Sequence, residues 1–488
     1  MREISIPPYA PMLMESTRAL GYSLEAAIAD ILDNSITAKA TNISIKFIPF
    51  GEPYLSILDN GKGMNSVEIT DAMRYGSGNP LETRDLDDLG RFGLGLKTAS
   101  LSQSRKLTVI SLKNGKLSGR SWDLDHVIKS GKWSLLVLDK KDMLKFPQIE
   151  LLQLQSSGTL VILQNLDRVG NGESDFEAAF SEKMDRVREH LSLVFHRYIS
   201  GESGLKSIKM NINNEPLAPH DPFLINKSTQ IMDDEKISIG DHLILVKPYI
   251  LPHISKMTDA EIKMLGGKDG LTKQQGFYVY RNKRLLIWGS WFRLIRKDEL
   301  SKLARVRVDI PNTLDHLWAI DIRKSTATPP EIVRKNLSRI VGQITEGSKR
   351  TWTFRGKKET DDSIVHLWTR LKTREGILYD INRDHPLVEM LKEKLDLKDH
   401  KFLHQLLKMI EMNIPLNSLY IDLTNDEKFK NNELYELTDD IKELAELLLE
   451  NCKNPEERQR FFDKIESTPP FSQFPGKIVK YLKEVNHA

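Results

Sequence analysis

Apolar residues first recur at helical spacing in SLEAAIADILDNSITA, where Leu24, Ala27, Ile28, Ile31 and Leu32 share one stripe and Ser23 stands as the N-cap. The period then changes. NISIKFIPF and YLSILDNGKGM carry alternating or continuous apolar residues and predict two strands, the second leaving through a turn at 59–63. The run YGSGNPLETRDLDDLGRFGLG holds five glycines and a proline, which suits a long loop between Met73 and Gly95. In LTVISLKNGKLSGRSWDL the pair Asn114-Gly115 lies between apolar stretches and signals a hairpin, and GTLVILQNL adds a strand near residue 160. Helix, sheet and hairpins together predict an α/β layer domain.

A helix around residues 178–200 closes this part, and a boundary is expected near 203. KSIKMNINNEPL and HLILVKPYIL then read as strands of a second unit, joined by GFYVYRNKRLLIW. Pro329-Pro330 should open a helix running toward Ile344, because proline suits the first helical turn. From about residue 360 the segments VHLWTRL, PLVEMLKEKL, HKFLHQLLKMIEM and DIKELAELLLENC show three- and four-residue apolar spacing, so the tail is expected to be mainly helical. The resulting division is 1–202, 203–345 and 346–488.

Length agrees with that division, since 488 residues exceed one compact core. Composition alters little: 40% hydrophobic and 28% charged residues are ordinary for a soluble globular chain. A net charge of +3 does not by itself imply nucleic acid, so the distribution of charge matters more than its sum. The single cysteine, Cys452, excludes an internal disulfide and suits a reducing compartment. The start MREISIPPYAPM has no apolar signal core and no run reaches the roughly 18 apolar residues of a spanning helix, so a cytoplasmic location without membrane contact is expected.

On the first helix Asp30 and Asn34 are four apart and share a face. A carboxylate there would orient an attacking water and an amide oxygen would hold magnesium, although the same pair also reads as a solvated helix face. Asp59-Asn60-Gly61-Lys62-Gly63-Met64 follows a strand, with glycines that permit tight turning and close approach to a ligand. Gly90-Arg91-Phe92-Gly93-Leu94-Gly95-Leu96-Lys97 leads into a helix whose first amides favour phosphate. It is neither the dinucleotide pattern nor a P-loop. Alone, it also reads as a structural glycine run.

The order ADILDNSITAKAT, LDNGKGM, GRFGLGLKTAS, SGTLVILQNL resembles the successive motifs of the split-ATPase (GHKL) family shared by gyrase, heat-shock chaperone, histidine kinase, MutL and MORC. The resemblance covers roughly the first 165 residues and implies a two-layer α/β (α+β) Bergerat-type sandwich that binds ATP and Mg2+. It implies that Asn34 holds the magnesium and that Asp59 recognises the adenine amino group. Gly61, Gly63 and Met64 would shape the pocket, Gly90, Gly93, Leu94, Gly95, Leu96 and Lys97 would cradle the phosphates, and Thr159 would assist at adenine. Residues 75–90 would form the ATP lid. The family's general base is glutamate, whereas this register holds Asp30, one methylene shorter, which implies slow turnover. Asp33 ranks second because it points roughly 100° from Asn34 on the helix.

More weakly, 203–345 resembles the small β/α transducer domain of MutL, MORC and topoisomerases, with Lys324 in WAIDIRKSTATPP placed as the γ-phosphate sensor; plain surface charge is the competing reading of Lys324 and Arg323. The match is closest to prokaryotic MORC-like ATPases, on AIADILDNSITAKATNI and GFYVYRNKRLL, which resemble components of restriction-like defence clusters. The implied function is a homodimerising, ATP-driven switch on DNA, aided by protein partners from the same operon; a chaperone-like switch on protein is the alternative. Between Lys273 and Arg307 ten basic residues face two acids, with Tyr278, Tyr280, Trp288, Trp291 and Phe292 interleaved. That pattern fits nucleic-acid contact, while the alternation also fits core strands. The helical tail, 346–488, would dimerise or bind a partner.

Overall fold

The computed structural model describes residues 3–485 except 5, 7, 20, 77–88, 90–94, 171, 203–204, 229–233, 268–269, 300, 316, 319–327, 354–365, 373–376, 415–436, 451, 453, 467–470, 472–473 and 475. Two compact units divide the chain, residues 1–353 and 354–488.

In the first unit, helices α1 (Ala10–Arg18), α2 (Leu24–Thr37), α3 (Ser66–Met73) and α4 (Gly95–Gln103) are interleaved with strands β1 (Asn42–Ile48), β2 (Tyr54–Asp59), β3 (Lys106–Lys113) and β4 (Lys116–Asp123). Then follow α5 (Leu124–Ser130), β5 (Leu136–Leu138), α6 (Lys140–Met143), α7 (Ile149–Gln153), β6 (Gly158–Gln164), α8 (Phe176–Val194), α9 (His196–Ser200), β7 (Lys209–Ile212) and β8 (Glu215–Pro216). The eight strands form one sheet in the order β5-β4-β3-β6-β2-β1-β7-β8. Period-2 alternation loads both faces. Ile43, Ile45, Leu55, Ile57, Leu107, Val109, Val161 and Leu163 pack against α1, α2 and α8, while Leu58, Ile110, Leu112, Leu160 and Ile162 meet α6 and α7 on the other face. This mixed layering is the expected α/β sandwich. Asn114 and Gly115 have φ of 52° and 71°, the left-handed pair that a two-residue type I′ hairpin needs.

KSIKMNINNEPL departs from its expected place in the second unit. Its strand β7 pairs in parallel with β1, Asn42 opposite Lys209, because Ile208, Met210 and Ile212 complete the first core.

A second sheet uses β9 (Glu235–Ile239), β10 (His242–Ile250), β11 (Gly276–Arg281), β12 (Arg284–Ser290) and β13 (Ala304–Ile310) in the order β12-β11-β13-β10-β9. Short helices α10 (Asp259–Gly266) and α11 (Gly270–Lys273) precede β11. Helix α12 runs Glu331–Thr353, past the expected end at Ile344, and buries Val333, Leu337, Ile340, Val341 and Ile344 against this sheet.

In the second unit VHLWTRL, read as helical, contains instead the strand β14 (Trp368–Lys372), which pairs with β15 (Ile377–Ile381). A short apolar run has no periodicity that separates strand from helix. Among the described residues the unit then contains the helices α13 (Pro386–Lys394), α14 (Leu397–Met412), α15 (Asp439–Glu450), α16 (Pro455–Ile465) and α17 (Lys477–Val485). Ile441, Ala445, Leu448, Ile465, Phe471 and Ile478 form a core there. Among the described residues no helix is long and apolar enough to cross a membrane.

Candidate functional site

Helix α2 is the axis of the site. Ser23 caps it by accepting from the Ala26 amide, and its apolar stripe of Leu24, Ala27, Ile28, Ile31 and Leu32 is buried. Its polar residues are then presented at fixed heights. Asp30 is only 3% exposed: Oδ2 accepts from the Tyr22 hydroxyl at 3.2 Å, and Oδ1 faces an Arg284 nitrogen at 3.4 Å. Asp33, 1% exposed, is held more tightly, accepting from Arg284 Nε at 2.8 Å. Asn34 is exposed one turn beyond Asp30, and its amide nitrogen donates to the Asp30 carbonyl at 3.2 Å. That bond leaves the Asn34 side-chain oxygen, a hard donor of the kind magnesium prefers. Among the described residues no group of three or more His, Cys, Asp or Glu could hold a metal ion. A magnesium ion here would depend on Asn34, phosphate oxygens and water.

At the next position on α2, the Ser35 hydroxyl donates to Asp59 Oδ2 at 2.8 Å, and the Gly61 amide donates to Oδ1 at 2.8 Å. Burial pushes the Asp59 carboxyl above its ordinary value, opposed by the bonds from Gly61, Ser35 and the Thr159 backbone. The opposition keeps a buried acceptor available at the end of β2. Thr159 lies directly across from Asp59 in the β2–β6 register. Its hydroxyl is 2.9 Å from that of Ser111, which receives the Met64 amide at 2.8 Å. Gly61 and Gly63 are required by space: a Cβ on Gly61 would lie 2.8 Å from that of Ala38, and one on Gly63 2.0 Å from the Leu112 carbonyl oxygen.

Gly95 opens α4, and a Cβ built there would lie 4.0 Å from Asp30 Oδ2, so the helix start faces the carboxylate. Leu96 packs on the main core. Lys97 is buried, its ammonium donates to the Ala72 carbonyl at 2.9 Å, and burial lowers its pKa to about 8. Gly90, Gly93 and Leu94, like Lys324 and Arg323, lie outside the described residues. So does most of the expected lid. Leu89 is described there, with its amide on the Thr37 hydroxyl at 3.3 Å and its carbonyl accepting from Arg281 at 3.0 Å.

Sequence reading missed Ser35, Ser111 and, above all, Arg281 and Arg284, which arrive from the second sheet. Half of the ten basic residues in the stretch to which they belong are buried. Arg281, Arg284, Lys302, Arg305 and Arg307 are buried, as are Tyr278, Tyr280 and Trp291. Acids neutralise most of these charges: Asp315 pairs with Arg281, Asp33 with Arg284, and the remote Glu202 and the neighbouring Asp309 with Arg307. Lys273, Arg293, Arg296 and Lys297 are exposed.

The helix-over-sheet sandwich, with acids on α2 and a buried aspartate at the end of β2, includes residues 22–159, which match the family described as histidine kinase-, DNA gyrase B-, and HSP90-like ATPase. This stretch is thus similar to GHKL-type ATPases of the MORC and MutL kind. It is 31% identical to ATPase morc-1 of Caenorhabditis elegans over 91 residues, 18% of this chain and 10% of that protein. With ATPase MORC2B of Mus musculus it shares 25% identity over 204 residues, 34% of this chain and 20% of that protein. With the DNA mismatch repair protein MutL of Thermoanaerobacter sp. (strain X514) it shares 29% over 107 residues, 22% and 17% of the two chains. The matched stretches therefore span only a tenth to a fifth of these relatives' own lengths.

Proposed function

We propose that the chain is an ATP-dependent molecular switch that hydrolyses ATP slowly, dimerises when ATP is bound and acts on DNA, within a defence or restriction-like system. The observation that carries the ATPase reading is the gathering of Asp30, Asn34, Asp59 and the start of α4 around one helix, with Ser35 tying Asp59 to α2. In this reading Asp59 accepts from the adenine amino group, with Thr159 and Met64 beside it and Gly61 and Gly63 keeping the floor low. Lys97 and the amides of Gly95 and Leu96, together with Gly90, Gly93 and Leu94, attend the phosphates. Asp30 orients the attacking water. It is preferred to Asp33, which Arg284 holds at 2.8 Å. Magnesium, held by Asn34, supplies charge neutralisation at the phosphates. Lys324 is the proposed phosphate sensor. The division into an ATPase part at 1–202, a transducer-like part at 203–345 and a helical partner-binding part at 346–488 belongs to the same reading.

DNA action rests on the printed function of the MutL relative and on the exposed Arg293, Arg296 and Lys297. A second reading, a switch acting on a protein partner, is favoured by α14, which exposes Phe402, Leu406 and Met409 at helical spacing on one face.

The test is magnesium-dependent ATP turnover with and without double-stranded DNA, with Asn34→Ala as the blank and Asp30→Ala as a variant expected to bind ATP without hydrolysing it. Turnover lost in the blank and raised by DNA, with the stimulation falling steeply as salt increases, is the expected result. Equal turnover in wild type and blank overturns the ATPase reading, and DNA-insensitive turnover favours the protein-directed switch.

A further inference from the structure

Arg281 and Arg284 face each other across the β11–β12 register, joined by a two-residue turn. That turn is Asn282-Lys283, with φ of 48° and 69°. This is type I′ geometry built without glycine, and the second position is a lysine in the left-handed region. Such a turn fixes the two flanking residues as a pair. From it the two guanidinium groups diverge, one to α2 and the other to Asp315 and Leu89.

Arg284 turns toward α2. Its Nε lies 2.8 Å from Asp33 Oδ1 and its terminal nitrogen 3.4 Å from Asp30 Oδ1, while the guanidinium sits 5.8 Å from the centre of the Phe195 ring. His190, packed 5.7 Å from Trp288 in the same region, is held neutral by burial and then by the Arg284 charge, with its pKa near 4. The guanidinium is therefore spent on carboxylates. Arg281 goes the other way: Nε donates to both oxygens of Asp315 at 2.7 and 2.9 Å, and a terminal nitrogen donates to the Leu89 carbonyl at 3.0 Å. Leu89 is in turn bonded through its amide to Thr37 at the end of α2.

From this geometry, and resting on the ATPase reading above, we infer that the Arg281–Arg284 turn is a positioning element by which the second sheet sets turnover at the nucleotide site. Asp33 anchors the Arg284 guanidinium, and the anchored group orients the shorter carboxylate of Asp30 from one side while Tyr22 holds it from the other. An aspartate has less reach than a glutamate, so its efficiency as a base depends on how well it is fixed. Arg281 seats the chain at Leu89 against the end of α2. Neither arginine touches the substrate.

The experiment compares Arg284→Gln, Arg284→Lys, Arg281→Gln and Arg307→Gln in the full chain. kcat, KM, the ATP dissociation constant and the melting temperature are measured for each. Arg307 is the control, because it is buried in the same sheet and paired with Asp309 and Glu202 instead of with α2. Arg284→Gln is expected to lower kcat at least thirtyfold with the ATP dissociation constant changed less than threefold, and Arg284→Lys to recover part of that loss. Arg281→Gln is expected to raise KM more than it lowers kcat. In an Asp33→Asn background, Arg284→Gln should cost much less, since the guanidinium has already lost its anchor. If Arg307→Gln loses turnover as Arg284→Gln does, in proportion to the fall in melting temperature, the arginines are structural and the inference is wrong. Unchanged kcat in Arg284→Gln also overturns it, while wild-type protein that neither binds nor hydrolyses ATP removes the ATPase reading and the inference with it.

Discussion

The Ser35 hydroxyl donates to Asp59 Oδ2 at 2.8 Å, and this bond joins α2 to the end of β2. It fixes the carboxylate rotamer and helps to keep a buried acid ionised against the upward push of burial.

If Asp59 accepts from an adenine amino group, Asp59→Asn replaces an acceptor with an amide able to present the wrong polarity. Loss of one hydrogen bond to a charged group weakens binding by about 1.5–3 kcal/mol, or roughly 10- to 150-fold in the ATP dissociation constant. Ser35→Ala keeps the carboxylate and loosens it, so a smaller rise of about 3- to 10-fold is expected from a neutral-donor hydrogen bond. Isothermal titration with ATP checks both. Wild-type affinity in Asp59→Asn would remove the adenine role.

Gly63 and Gly115 test whether the LDNGKGM glycines are demanded by conformation alone or also by space. Both have positive φ, 64° and 71°. A Cβ on Gly115 meets nothing within 4 Å, whereas one on Gly63 would come within 2.0 Å of the Leu112 carbonyl oxygen. Gly115→Ala should therefore lose only the left-handed penalty of about 1–2 kcal/mol. Gly63→Ala should lose about 1–3 kcal/mol more, from overpacking against backbone that cannot move aside. Urea unfolding of the two variants gives the comparison. Equal losses would show that the close approach relaxes freely.

What could be read from sequence was what local periodicity and turn chemistry encode. The stripe from Leu24 to Leu32, the Asn114-Gly115 hairpin and the helix opening after Pro330 needed no knowledge of partners. The pairing of β7 with β1 was hidden because Ile208, Met210 and Ile212 alternate as they would in either sheet. The burial of half the basic stretch was hidden for a related reason. Net positive charge within Lys273–Arg307 reads as an exposed face until Asp33, Glu202 and Asp315, remote in sequence, are found beside it. Arg284 belongs to the same class. Nothing within ten residues of it announces that it reaches Asp30 and Asp33 about 250 positions earlier in the chain.

Lys97 allows the phosphate reading to be tested through pH. Burial lowers its pKa from an ordinary 10.5 to about 8, so the folded protein releases this proton before the unfolded chain does. Between about pH 8 and 10.5 the unfolded state binds more protons at this position, and the stability contributed by Lys97 rises with pH. Phosphate attraction needs the ammonium form, so the affinity contributed by Lys97 must fall over the same rise. ATP affinity is expected to weaken by up to about eightfold from pH 7.5 to 9, as the protonated fraction of a group with pKa near 8 falls from roughly three-quarters to roughly one-tenth. Lys97→Arg keeps its charge throughout this range and should show a flat profile, while Lys97→Gln should be weak and flat. Fluorescence titration with ATP at each pH, alongside thermal unfolding of the same samples, separates the two opposing trends. A wild-type slope that persists in Lys97→Arg would place the titrating group elsewhere and leave Lys97 as a lysine that holds the Ala72 carbonyl.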